Sequence, residues 1–141
     1  MKTLSLMRHA KAGWAEPEMD DHDRLLNRRG RSAAPVMAQW LAARGLRPGK
    51  VLCSPSRRTR ETAALMRDAL TGLPEPELPA ALYHAGPGML LEHLRRLEKG
   101  CDSALLIAHE PGLGALLRML CAGTAAPEYR RACNHFFRAE S

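Results

Sequence analysis

Aromatic side chains are scarce here: the 141 residues include two Phe, two Trp and two Tyr. A core must therefore be built from Leu, Ala, Met and Val, and no basic patch is interleaved with the aromatic rings that nucleic-acid binders use. Long apolar runs are also missing. None approaches the roughly 20 residues that span a bilayer. At the N-terminus one Lys precedes an apolar stretch that Arg8 and His9 interrupt, which is not a secretory signal. These absences predict a soluble, cytoplasmic protein with neither nucleic acid nor membrane as partner. Cysteine is sparse and scattered: Cys53, Cys101, Cys121 and Cys133 form no C-x-x-C. Reduced, buried thiols are expected rather than a disulfide framework. Zinc needs closely paired ligands, so no metal site is expected.

What is present begins with charge. The formal net charge is +6 and the sequence pI is about 9.6, while 45% of residues are hydrophobic. The excess supports attraction to anions in general, phosphate among them. The length fits one compact domain with its own core.

Local patterns give an alternation. Lys2 to Met7 is a short apolar strand. Asn27 to Ala43 carries Ala33, Val36, Met37, Trp40 and Leu41 at helical spacing, with Gly45 as its stop. Pro35 inside that pattern places the start of regular helix near Ser32, or a kink there. Lys50 to Cys53 is a second strand. Ser54 as N-cap and Pro55 at the first helical position open a helix running to about Leu70. "GLPEPELPA", Gly72 to Ala80, is a surface loop, and Leu82-Tyr83 reads as a short extended piece. Leu90, Leu94 and Leu97 mark a helix ended by Gly100. "ALLIA", Ala104 to Ala108, is the clearest buried strand. Leu113, Leu116, Leu117 and Leu120 mark a final helix ended by Gly123. Strands alternating with helices predict a largely parallel sheet covered on both faces. Right-handed crossovers put all strand C-terminal ends on one edge, where ligands bind in such sheets.

The polar residues cluster at that edge. Arg8-His9 follows the first strand, Ser54 to Arg58 the second, and His109 follows "ALLIA". Three segments would thus deliver two imidazoles and at least one guanidinium to one place. The helix after Ser54 carries Arg57, Arg58 and Arg60 near its N-terminus, where cations are disfavoured unless an anion binds. Arg57 and Arg60 are assigned to solvent. His22, His84, His93 and His135 lack a place directly after a strand, and His93 is expected on a helix surface.

Together "LSLMRHAKAGW", "DDHDRLLNRRG", "CSPSRRTRETA" and "LLIAHEPGLGAL" resemble the histidine phosphatase superfamily, nearest its short, SixA-type phosphohistidine phosphatase branch. The R-H motif is matched by Arg8-His9. The S-x-x-x-R-[AT]-x-x-T motif is matched by Ser54, Arg58, Thr59 and Thr62. The histidine followed by x-P-G is matched by His109 to Gly112. The stretch Asp21 to Gly30 is typical of the short branch. The resemblance runs roughly from Lys2 to Ala125. It implies a phosphoglycerate mutase-like three-layer α/β sandwich, with a mostly parallel sheet between helices, as a single histidine-phosphatase domain over residues 1–141. It implies that His9 is the nucleophile and that Arg8, Arg58 and His109 neutralise the phosphoryl oxygens. No cofactor or metal is implied. The substrate implied is a phosphohistidine in a phosphorylated protein. A small phosphate monoester, or phosphate binding without turnover, are the alternatives.

Two departures from the family pattern stand out. The glutamate that other members use as proton donor has no clear match, since Glu75 and Glu77 lie among prolines. Asp21 is the candidate substitute, and Asp21, Arg24 and Ser54 are grouped as substrate-binding or proton-donating residues. Asp23 is expected to pair locally with Arg24 or Arg28, and Lys11 to be a rim cation. The family usually continues with a further strand and a longer tail. Here Asn134 to Ala139 is either a short terminal strand or the edge strand is absent, so a shortened C-terminal end is expected.

Overall fold

The computed structural model describes residues 3–14, 16–97, 100–122 and 136–138. Its elements in chain order are β1 (Thr3–Arg8), α1 (Arg28–Ala43), β2 (Lys50–Cys53), α2 (Arg57–Ala69), α3 (Pro87–Arg95), β3 (Ser103–Ala108), α4 (Gly112–Cys121) and β4 (Phe136–Arg138), with 3₁₀ turns at Asp21–Asp23 and Ala80–Leu82. The four strands are parallel and ordered β2-β3-β1-β4.

Alternation along the strands divides the core into two layers. Leu4, Leu6, Leu52 and Leu106 point to one face, where Leu90, Leu91 and Leu94 of α3 and Leu113, Leu116 and Leu120 of α4 cover them. Met7, Val51, Cys53, Leu105 and Ile107 point to the other, against Ala34, Ala38 and Leu41 of α1 and Ala63 and Met66 of α2. The result is the expected three-layer α/β sandwich. Small alanines on α1 and α2 let those helices lie close to the sheet, a packing that needs no aromatic rings.

Several local expectations shift. α1 starts at Arg28 despite Pro35, because Asn27 is anchored at both ends. Its N–H donates to Lys11 O at 2.9 Å, and its Oδ1 accepts from Gly30 N–H at 2.9 Å. α2 is capped by Ser56, not Ser54. Residues 80–82 form a 3₁₀ turn rather than an extended piece, and α3 ends at Arg95, short of Gly100. β4 falls within the anticipated terminal strand; Gly123, Asn134 and Ala139 lie outside the described residues. Cys53 and Cys101 are free, whereas Cys121 is disulfide-bonded, which departs from four reduced thiols. Among the described residues no helix is long and apolar enough to cross a membrane.

Two glycines fix the loops at the sheet edge. A Cβ on Gly30 would lie 2.2 Å from Lys11 O, and one on Gly112 would lie 2.1 Å from Ala85 O. α1 is thereby pressed against the loop after β1, and α4 against the loop after Leu82. Gly30→Ala pits two effects against each other. Alanine favours a helix interior by about 1 kcal/mol, while forcing a backbone apart costs roughly 1–3 kcal/mol. The clash is with a carbonyl that cannot rotate away, so the upper end of that cost applies and, less the helix gain, a net destabilisation of about 2 kcal/mol is expected. Urea titration at unchanged m-value checks it, and a variant as stable as wild type would refute the close approach.

Candidate active site

β1 and β3 run in register, with Arg8 opposite Ala108, so His9 and His109 are matching next residues. The chain leaves β1 over β3 to reach β2, and leaves β3 over β1 to reach β4. Their connections diverge, and a crevice opens between the two strand ends. The hydrogen-bond ladder continues one residue past the strands. His9 N–H donates to Ala108 O at 3.2 Å and Ser54 N–H to Ile107 O at 3.0 Å. His9 and His109 face each other with ring centroids 5.4 Å apart.

His9 Nδ1 lies 2.7 Å from Ala10 O. A carbonyl only accepts, so Nδ1 carries the proton and Nε2 holds a lone pair directed at the crevice. Burial, followed by the charges of Arg58, Arg8 and Arg24, lowers the His9 pKa to about 4 against the opposing bond to Ala10 O. His109 is lowered to about 3, by burial first and then by Arg58, His9 and His84. Both imidazoles are neutral at pH 7.

Arg58 is 3% exposed and sits between them. Its Nε donates to His9 Nε2 at 3.3 Å and its Nη1 to Asp21 O at 2.7 Å. Its Nη2 lies 3.1 Å from Asp21 Oδ2, 3.1 Å from His84 Nε2 and 3.4 Å from His109 Nδ1. The other nitrogen of His109, Nε2, is 2.7 Å from Ser54 Oγ. Ser54 is thus a partner of His109 rather than a helix cap. Thr59 and Thr62 of the second motif hold this corner together. Thr59 Oγ1 donates to Ser54 O at 2.6 Å, while Thr62 Oγ1 donates to Arg58 O at 2.8 Å and accepts from Ala10 N–H at 3.0 Å.

Asp21 arrives from its 3₁₀ turn. Tyr83 Oη donates to Asp21 Oδ2 at 2.5 Å, and Arg24 Nη1 to Asp21 Oδ1 at 3.0 Å. The Tyr83 hydroxyl, with Arg24 and Arg58, holds the Asp21 carboxyl well below the usual carboxylate range. Such a carboxylate accepts protons' bonds and has no proton to give. Arg24 pairs with Asp21 instead of Asp23, and its Nε and Nη2 also donate to Gly13 O, tying the first-motif loop to the turn. Arg8, His9, Lys11, Trp14, Arg24, Arg58, His84, His109 and Glu110 line a cavity of about 580 Å³. Arg57 and Arg60 are exposed outside it. Glu77 sits on the outer edge of β2, where its backbone pairs with Val51 and Cys53, so it is not a counterpart of the missing glutamate. Burial raises the Cys53 thiol to about 12, which leaves it inert.

A family model described as histidine phosphatase superfamily (branch 1) matches residues 4–82. The chain belongs to the histidine phosphatase superfamily. An uncharacterised Mycobacterium tuberculosis protein is 35% identical over 133 residues, covering 92% of this chain and 80% of its own. Phosphohistidine phosphatase SixA of Escherichia coli K12 is 31% identical over 126 residues, covering 88% and 77%. The solved structure of the protein histidine phosphatase SixA complexed with tungstate superposes with TM-score 0.76 at 28% identity, covering 83% of this chain and 75% of that one.

The histidine phosphatase match ends at Leu82, so the structure itself brings Tyr83, His84 and His109 into the cluster. Tyr83 and His84 escaped the reading of the sequence, because neither follows a strand. Their signal was the close packing behind them: Gly112 lets Ala85 approach, and His84 turns into the cavity with φ of +50°. Tyr83 and His84 stack at 4.2 Å between centroids, and His84 meets His109 edge-on at 5.0 Å.

The lowered histidine values carry a direct test. Protonation would consume the His9 lone pair, so the reactive form persists down to about pH 4. NMR titration of the substrate-free protein should give midpoints near 4 for His9 and near 3 for His109. Midpoints at or above an ordinary imidazole's 6.5 would show that burial and the three arginines do not act on the rings.

Proposed function

We propose that this chain is a metal-independent phosphatase that works through a phosphohistidine intermediate on His9 and removes phosphate from phosphohistidine in proteins. The observation that carries this reading is the His9 ring itself, with Nδ1–H tied to Ala10 O and the Nε2 lone pair facing the buried Arg58. Simple anion binding needs the arginines but not an oriented, neutral imidazole.

In this reading the phosphoryl group takes the Nε–H and Nη2–H fork of Arg58, a bidentate match for two of its oxygens. That releases the His9 lone pair for in-line attack. Arg8, Arg58 and His109 then stabilise the equatorial oxygens. The Ser54 hydroxyl can accept from or donate to His109 Nε2, so His109 can turn an N–H towards the phosphoryl group by changing tautomer, without taking up a proton. Water then hydrolyses the phosphorylated His9 and restores the lone pair. The positive charge comes from side chains, so no metal is called upon.

Substrate preference follows from the state of Asp21. An ester must expel an alkoxide and needs a strong acid beside it. The ionised Asp21 is not that acid, and a phosphohistidine protonated on its free ring nitrogen expels a neutral imidazole, a much better leaving group. Turnover of a phosphohistidine protein should exceed that of an alkyl phosphate by more than tenfold, about 1.4 kcal/mol in barrier, and should survive EDTA. His9→Ala should abolish both, while Arg58→Ala and His109→Ala should each lower phosphoenzyme formation by about 10²–10³. Arg57→Ala should stay close to wild type. Substantial turnover by His9→Ala, or metal-restored activity after chelation, would refute the mechanism, and an ester preference would refute the substrate.

A further inference from the structure

We propose that His84 is a catalytic residue of this site: it protonates the leaving group when His9 is phosphorylated, then takes a proton from the attacking water. This rests on the reading of His9 as nucleophile. His9 Nε2 lies on Arg58 Nε, and His84 Nε2 lies on Arg58 Nη2, at 3.3 and 3.1 Å. Nε–H and the adjacent Nη2–H form one edge of the guanidinium. A phosphoryl group seated on that edge displaces both rings from it and comes to lie between them. In-line transfer places the leaving group across the phosphorus from His9, on the side from which His84 approaches.

Other candidates for this proton are ionised, bonded elsewhere or away from the Arg58 edge. Asp21 is ionised by Tyr83, Arg24 and Arg58. Glu110 Oε2 accepts from Gly114 N–H at 3.2 Å, in the first turn of α4, and its Oε1 is buried without a hydrogen-bond partner, but neither oxygen bonds to the Arg58 edge on which the phosphoryl group would sit. His109 is bonded to Ser54 on one side and Arg58 on the other. His84 differs from them. Its side chain is half exposed, and Nε2 lies 3.3 Å from Asp21 Oδ2. In the free site Arg58 donates to that nitrogen. Once protonated, the same nitrogen can donate to the Asp21 carboxylate, which supports the imidazolium until a leaving group needs it. The left-handed backbone at His84, uncommon away from glycine, holds the ring there against Tyr83.

The step balances. The His9 Nε2 lone pair forms the N–P bond, the bond from phosphorus to the leaving atom breaks, and its electron pair departs with that atom. His84 gives its proton to an ester oxygen, or, for a phosphohistidine, to the free ring nitrogen of the departing imidazole. Neutral His84 then receives a proton from water as the water oxygen attacks phosphorus and the N–P electron pair returns to His9.

The test is rapid-quench phosphorylation of His9, with wild type, His84→Gln and His84→Ala, from N-phosphoimidazole, 2,4-dinitrophenyl phosphate and phenyl phosphate. Dinitrophenolate departs without a proton, so its release should fall by less than about threefold, which also reports that each variant is folded. Phenol release should fall by about 10²–10³, the usual range for a lost general acid. Equal losses on the two esters would overturn the proposal and make His84 a support for Arg58. No loss on phenyl phosphate would overturn it too, as would a wild type phosphorylated by N-phosphoimidazole that releases no phenol. A wild type phosphorylated on His9 by none of the three would instead overturn the reading of His9, and the role of His84 with it.

Discussion

A guanidinium that is 3% exposed has to be surrounded by acceptors, because a buried charge left unpaired costs several kcal/mol. Arg58 meets this condition with acceptors from four parts of the chain: Asp21 O and Oδ2, His9 Nε2, His84 Nε2 and His109 Nδ1. Only one of the four residues carries a full negative charge. His9 and His109 offer neutral imidazole lone pairs, and His84 brings Nε2 to the same guanidinium. The same arginine that needs those lone pairs helps to hold His9 and His109 neutral, after burial itself. The available lone pair of His9 and the satisfaction of Arg58 are therefore one arrangement seen from two sides.

Asp21 supports that arrangement without lying on β1, β2 or β3. Its carboxylate gathers Tyr83, Arg24, Arg58 and His84, and its carbonyl takes the shortest bond Arg58 makes. Arg24 in turn grips Gly13 O, and Asn27 grips Lys11 O, so the loop after β1 is fastened to the segment from Asp21 to Gly30. The short-branch stretch of the sequence thus acts as a clasp over the loop that carries His9. Asp21 and Glu110 against Arg8, Lys11, Arg24 and Arg58 leave a positive excess of formal charge in the crevice, which a phosphoryl dianion would neutralise.

The sheet and its edge were legible because both depend on short-range patterns. "KVLC" and "ALLIA" are apolar runs of strand length, and the polar residues just after them had to emerge at the strand ends. Arg58 was legible through its place at a helix start, although the cap is Ser56 and not Ser54. That difference is a tertiary effect: His109, 55 residues further along the chain and just past β3, recruits the Ser54 hydroxyl at 2.7 Å. Pro35 misled in a similar way, since Asn27 and Gly30 anchor α1 upstream of it through contacts with Lys11. Tyr83 and His84 were beyond reach. Their turn has no periodic pattern, and what puts them in the crevice is the approach of Gly112 to Ala85.

These origins divide the crevice into a stiff side and a compliant one. His9 and Ser54 extend the parallel ladder, Arg58 is fixed within α2, and the His109 carbonyl receives Leu113 N–H at 3.1 Å as α4 begins. All of these sit on elements whose backbone bonds are closed on themselves. Asp21, Tyr83 and His84 come instead from a three-residue turn and from the residues that follow another. In the proposed mechanism the nucleophile and the charges that stabilise transfer need fixed positions, because small displacements along the line of attack cost large factors in rate. The opposite side would have to admit the departing group. Here that side is built from half-exposed rings and an exposed Trp14 at the rim, where adjustment disturbs neither the sheet nor Arg58.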